Sequence, residues 1–154
     1  MLRLSKLTDY ATVILSHMAK DSGELYAAVE VAEATGIGLP TVSKILKILV
    51  NARVVVSSRG VNGGYALARP PERISVAEVI SALEGPIAVT ECSISHEGCE
   101  QASGCGISGN WSLINKAIRN TLESISLADM IKPVHRPTEI LIPVSSINRF
   151  EREF

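Results

Sequence analysis

Residues 40–51, PTVSKILKILVN, place Val42, Ile45, Leu46 and Leu49 at i, i+3, i+4 and i+7, the apolar side of one α-helix. Pro40 suits the first helical position, where its missing N–H has no partner to lose. Thr41, Ser43, Lys44, Lys47 and Asn51 are left on the opposite side. Just ahead, Ala27–Thr35 reads as a shorter helix with Val29, Ala32 and Val31 as inward candidates and Gly36 as its C-cap. A short helix, a tight GIGL link and a second helix with a buried apolar side and a basic outer side form the helix-turn-helix pattern. An earlier helix, from Ser5 as N-cap to about Lys20, carries Leu7, Ala11, Ile14, Leu15 and Met18 at helical spacing.

The residues after the motif complete it. VVVSSRG (Val54–Gly60) is β-branched, VNGG contains the hairpin pair Asn62-Gly63, and YALARP alternates as a returning strand. Helix-turn-helix plus hairpin predicts a winged helix: Thr41, Ser43 and Lys44 near base edges, Lys47 and Arg59 on phosphates with Arg53 as a further candidate, and Asn62 at the wing. Charge agrees. Residues 1–70 carry eight Lys or Arg against five Asp or Glu, the remainder seven against eleven. No acidic residue lies between Glu33 and Glu72, whereas Lys44, Lys47, Arg53, Arg59 and Arg69 all do. A basic stripe of this kind suits a polyanion, although five positive charges are also what a solvated face carries.

Downstream, PERISVAEVISALEG (Pro71–Gly85) reads as a helix with Ser75 and Glu78 as a capping box. Trp111, Ile114, Ile118, Leu122 and Ile125 form a stripe along a long helix, which predicts coiled-coil-like homodimerisation, the alternative being packing on its own domain. SLADMI is a short capped helix, and the three prolines from Pro133 onward suggest an extended or disordered tail. The expected organisation is a DNA-binding domain over 1–85, a cysteine loop over 86–110, a dimerisation helix and capping helix over 111–132, and a tail over 133–154. The fold class is mainly α with a small β-hairpin wing, a winged helix-turn-helix plus a long dimerisation helix. No apolar run reaches the roughly 18 residues of a membrane span, and no signal-peptide pattern opens the chain, so a cytoplasmic protein away from membranes is expected. There is no catalytic triad, carboxylate pair or phosphate loop, which argues against an enzyme.

All three cysteines lie in TECSISHEGCEQASGCGISGNW, as Cys92, six residues, Cys99, five residues and Cys105. In a reducing compartment such thiols point to metal or redox chemistry. Zinc sites usually carry a C-x₂₋₄-C knuckle, absent here. Wider spacing on a glycine-rich loop suits an iron-sulfur cluster better, with 2Fe-2S and 4Fe-4S both open and another side chain replacing the missing fourth thiolate. A thiol-based redox sensor without a cluster and a repressor with a structural zinc are the alternatives.

LSKLTDYA near the start, SSRGVNGGYALAR at the wing, the three-cysteine loop and a tryptophan six residues after Cys105 together resemble the winged-helix regulators typified by IscR and NsrR, over roughly residues 1–132. The N-terminal wording is most similar to regulators of the SUF iron-sulfur assembly system. The resemblance implies a homodimer on double-stranded operator DNA, a cluster held by Cys92, Cys99 and Cys105, and control of cluster-assembly genes. The chain departs from the IscR-like pattern in two places. The first cysteine interval is six residues rather than five, and Ser108 stands where those proteins have a histidine ligand. NsrR-like members draw an aspartate from the partner subunit, and the matching residue is Asp9. The alternative for Asp9 is a favourable interaction with the helix dipole. His96 is the local rival for the fourth position.

Overall fold

The computed structural model describes residues 3–60, 63–94 and 105–133. In chain order it contains α1 (Lys6–Met18), α2 (Ala28–Thr35), α3 (Leu39–Asn51), β1 (Val55–Ser58), β2 (Gly64–Leu67), α4 (Val76–Glu84), α5 (Ser108–Ser124) and α6 (Leu127–Ile131), with 3-10 turns at Pro71–Arg73 and Glu91–Ser93. The winged helix-turn-helix is therefore present. His96, Cys99, Asn62 and the tail beyond Pro133 lie outside the described residues.

The spacing read along α1 and α3 is the spacing that packs. Ala11, Ile14, Leu15 and Met18 meet Val42, Ile45, Leu46 and Leu49, each at most 1% exposed. Burying each large side chain contributes about 1.5–3 kcal/mol, so this seam holds the helix-turn-helix together. Ser5 caps α1 by accepting from the Thr8 N–H. Pro40 occupies the second rather than the first position of α3, since Leu39 opens the helix.

On α2 the expectation for Val29 fails: Val31 is fully buried and Val29 is 50% exposed. Ala28, Val31 and Ala32 make the i, i+3, i+4 face that meets the core. Val29 is two residues from Val31, roughly 200° around the helix, and so faces out. On α1, Leu7 is only half-buried and the fully buried place goes to Thr8. Its hydroxyl donates to Glu84 Oε1 at 2.5 Å, which satisfies a polar group that burial would otherwise penalise.

β1 and β2 pair antiparallel, Val55 opposite Leu67 and Ser58 opposite Gly64. Tyr26 adds a bridge to β2, exchanging N–H and carbonyl with Tyr65 at 2.9 Å in both directions. This crossing explains one glycine of the wing sequence: a β-carbon on Gly64 would come within 2.8 Å of the Tyr26 carbonyl oxygen. On Gly63 it would collide with the Ser58 carbonyl oxygen.

The segment Pro71–Gly85 is two elements rather than one helix. A 3-10 turn ends at Arg73, Ile74 is fully buried, and α4 starts only at Val76. The expected capping box is in place, with Glu78 N–H on Ser75 Oγ at 3.2 Å and Ser75 N–H on Glu78 Oε2 at 2.9 Å.

α5 begins at Ser108, and after it the chain returns to the winged helix. Val76 N–H donates to the Ile125 carbonyl at 2.9 Å and Leu127 N–H to the Ile74 carbonyl at 2.7 Å. Ser126 and Asp129 form a second capping box, and Leu127 enters the core at 2% exposure.

Candidate functional site

The outer face of α3 is built by exclusion. With Val42, Ile45, Leu46 and Leu49 turned inward, Ser43, Lys44, Lys47 and Asn51 are exposed and Thr41 is half-buried at the edge. Arg53 and Arg59 are exposed on either side of β1. Arg69 leaves this set. Its guanidinium pairs with Glu78 Oε1 at 2.9 Å, so the basic stripe read from sequence is shorter by one charge. Burial would push the Glu78 carboxyl up, but the Ser75 N–H, the Arg69 guanidinium and the Ser75 hydroxyl outweigh it and hold the group below its usual range. Lys44, Lys47, Arg53 and Arg59 form no ion pair among the described residues.

The cysteine loop is described at both of its ends. Cys92 lies in the 3-10 turn Glu91–Ser93. Cys105 is a half-buried free thiol three residues ahead of α5. The Ser108 hydroxyl donates to the Cys105 carbonyl at 3.2 Å, which gives this serine a role in the loop-to-helix junction. Asp9 is exposed on the first turn of α1. Among the described residues no three donors gather into a metal site; Cys99 and His96 are outside them. The donor chemistry suits a thiophilic cluster: Cys105 is free and partly sheltered, and soft thiolates are the usual ligands of iron-sulfur groups.

Two clamps at the base of the loop had no local signal in the sequence. Glu84, the last residue of α4, accepts from the Ser5 N–H at 2.7 Å and the Thr8 hydroxyl at 2.5 Å through one oxygen. These bonds hold its carboxyl below the usual glutamate range, the Thr8 hydroxyl first and the Ser5 N–H second, against a smaller opposing effect of burial. On the other side, Asn115 of α5 accepts from the Val89 N–H at 3.1 Å and donates to the Ile87 carbonyl at 3.2 Å. The segment entering the loop is thus tied to the start of α1 and to α5. A cleft of about 550 Å³ lies between these elements, lined by Arg3, Leu4, Ile80, Glu84, Ile118 and Leu122 among others.

No side chain of α5 is buried, although the helix is 17 residues long. Trp111, Ile118, Leu122 and Ile125 are half-buried, while Ile114 is 45% and its neighbour Leu113 68% exposed. No helix among the described residues is long and apolar enough to cross a membrane.

A family model described as Rrf2, iron-dependent transcriptional regulator, matches residues 4–133. The HTH-type transcriptional regulator IscR of Xenorhabdus nematophila is 33% identical over 132 residues, 85% of this chain and 80% of that protein. Among solved structures, CymR, the global cysteine regulator of B. subtilis, is 30% identical with a TM-score of 0.66, covering 85% of this chain and 97% of that one. IscR of T. potens is 29% identical with a TM-score of 0.62, covering 84% and 86%.

Proposed function

Because the chain belongs to the Rrf2 family of transcriptional regulators, we propose that it is a homodimeric, cytoplasmic sensor whose iron-sulfur state sets its affinity for operator DNA, with iron-sulfur assembly genes of the SUF type as targets. It is a DNA-binding regulator and not an enzyme, as its relatives are. The carrying observation is the double clamp at the loop base: Glu84 to α1 and Asn115 to α5. A change in the loop is thereby connected to the reading domain and to the helix assigned to the dimer.

When bound, the cluster supplies redox- and oxygen-responsive bonds to the loop. Cys92, Cys99 and Cys105 would hold it, with Asp9 of α1 as the fourth ligand from the partner subunit; His96 is the local alternative. Thr41, Ser43 and Lys44 meet base edges in the major groove, Lys47 and Arg59 neutralise phosphates, and Asn62 sits at the wing. Two such heads read half-sites about one helical turn apart, roughly 34–36 Å. Coupling requires that the two loop states make different contacts with the clamps.

The likeness to CymR supports a second reading, in which the thiols sense redox state directly with no cluster. Anaerobic purification separates the two. The proposed function gives a brown protein with iron and labile sulfide, and a mobility-shift titration in which holo and apo forms differ in operator affinity by about tenfold or more, a coupling of ordinary size. A colourless protein with reactive thiols supports the second reading. Equal affinity in both forms sinks sensing. The spectrum of Asp9→Ala tests the trans ligand: an unchanged spectrum removes Asp9 from the set.

A further inference from the structure

We infer that Arg53 is a dedicated contact to the DNA backbone, placed by a left-handed backbone conformation that the fold elsewhere assigns to glycine. The inference rests on the DNA-binding reading and gives Arg53, until here only a candidate, a dedicated role in it.

α3 ends in a complete Schellman motif. The Arg53 N–H donates to the Val50 carbonyl and the Val54 N–H to the Leu49 carbonyl, both at 3.0 Å. That geometry requires the residue after the cap to adopt positive φ, and Arg53 does so at 59°. Glycine is the ordinary choice because it has no β-carbon to strain. The same chain follows the rule at the end of α2, where Gly36 takes the left-handed conformation at φ 71° and ψ 10°. Among the described residues Arg53 is the single non-glycine with positive φ.

Among the described residues no side-chain contact of Arg53 offsets this strain. Arg53 is exposed, and among the described residues its side chain makes no hydrogen bond or ion pair. Strain without internal compensation points to a role outside the molecule. The position indicates which. Arg53 follows the exposed line Lys44, Lys47 and Asn51 at the end of α3, and it precedes β1, which leads to Arg59 at the wing. Unlike Arg69, which Glu78 neutralises, Arg53 has no carboxylate paired with it among the described residues. A permanently charged fork between a reading helix and a wing is matched to a phosphate.

Because a phosphate contact is independent of sequence, the probe is a duplex of arbitrary sequence, roughly 30 base pairs and long enough for two half-sites. Binding is measured against salt concentration for wild type, Arg53→Gly and Arg53→Lys, alongside thermal melting. Arg53→Gly is expected to melt a few degrees higher, because the strain is relieved, yet to bind about tenfold more weakly at 0.1 M salt. Its logarithmic salt slope should fall by about 0.9 for each protomer engaged. Arg53→Lys should keep the slope. A glycine variant with wild-type affinity and slope overturns the inference while leaving the DNA-binding reading intact. A glycine variant that melts lower also overturns it, since the side chain would then be holding the fold. Wild-type protein that binds no duplex at low salt overturns both.

Discussion

Thr8 and Glu84 are the residues whose roles depend most on each other. Thr8 has no exposed surface, and its hydroxyl is satisfied by a carboxylate 76 residues away. Glu84 is held in its charged form by that bond and by the Ser5 N–H, with its pKa below the ordinary 4.5. A depressed folded-state pKa adds stability above the unfolded value and loses it as pH falls through the folded one. Glu84→Gln is therefore expected to be less stable than wild type at pH 6–7. The gap should narrow below about pH 4.5, as followed by urea denaturation across pH. A gap that is constant with pH would remove the charge from the explanation. Neither residue could be paired from sequence, because a threonine in a first helical turn and a glutamate at a helix end are each locally unremarkable. Ser5, Ser75 and Ser126 were legible for the opposite reason: a cap and its partner lie three residues apart.

At the scale of elements, α5 poses the main question. Its stripe divides along the helix: Ile118 and Leu122 line the cleft against α4, while Ile114 stays open, beside the exposed Leu113. A helix of 17 residues with no buried side chain gains little from its own domain, and the proposed dimer would cover its open side. Ile114→Glu puts a charge on the open part of the stripe. It should weaken self-association at least tenfold, moving the mass seen by sedimentation from dimer toward monomer while helix content is preserved. An unchanged dimer mass would place the interface elsewhere. The stripe itself was readable from periodicity, because a 3.6-residue repeat is a local property. Which half of it meets α4 was not, since that depends on where the loop returns the chain.

Over the whole molecule, the winged helix is closed by a residue far from it in sequence. Leu127 is 2% exposed and sits in the core beside Ile74, so α6 belongs physically to the reading domain although a cysteine loop and α5 intervene. Leu127→Ala should cost about 2–5 kcal/mol in a single unfolding transition. A loss below about 0.5 kcal/mol, typical of surface positions, would mean that α6 is an independent appendage. The closure also ties the C-terminal end of α5 to the first residue of α4, through Ile125 and Val76. α5 is therefore tied back at its middle, through Asn115 to Ile87 and Val89, and at its C-terminal end, through Ile125 to Val76.

By itself the sequence determined the elements and the class of the fold. Helical and strand periods, caps and turn residues act over a few positions, and they specify α1, α3, the hairpin, α4 and α6 wherever one face of an element must be apolar. It also confined the three thiols to one stretch of sequence and put positive side chains on α3 and beside the hairpin. Only the tertiary structure decided that Val31 rather than Val29 enters the core, and that Arg69 is neutralised by Glu78. The same is true of Tyr26 bridging β2 and of Glu84 and Asn115 clamping the loop base. These outcomes depend on which surfaces meet once the chain has closed. Burial, desolvation and hydrogen-bond satisfaction are properties of the meeting surfaces, and no local window of residues contains them.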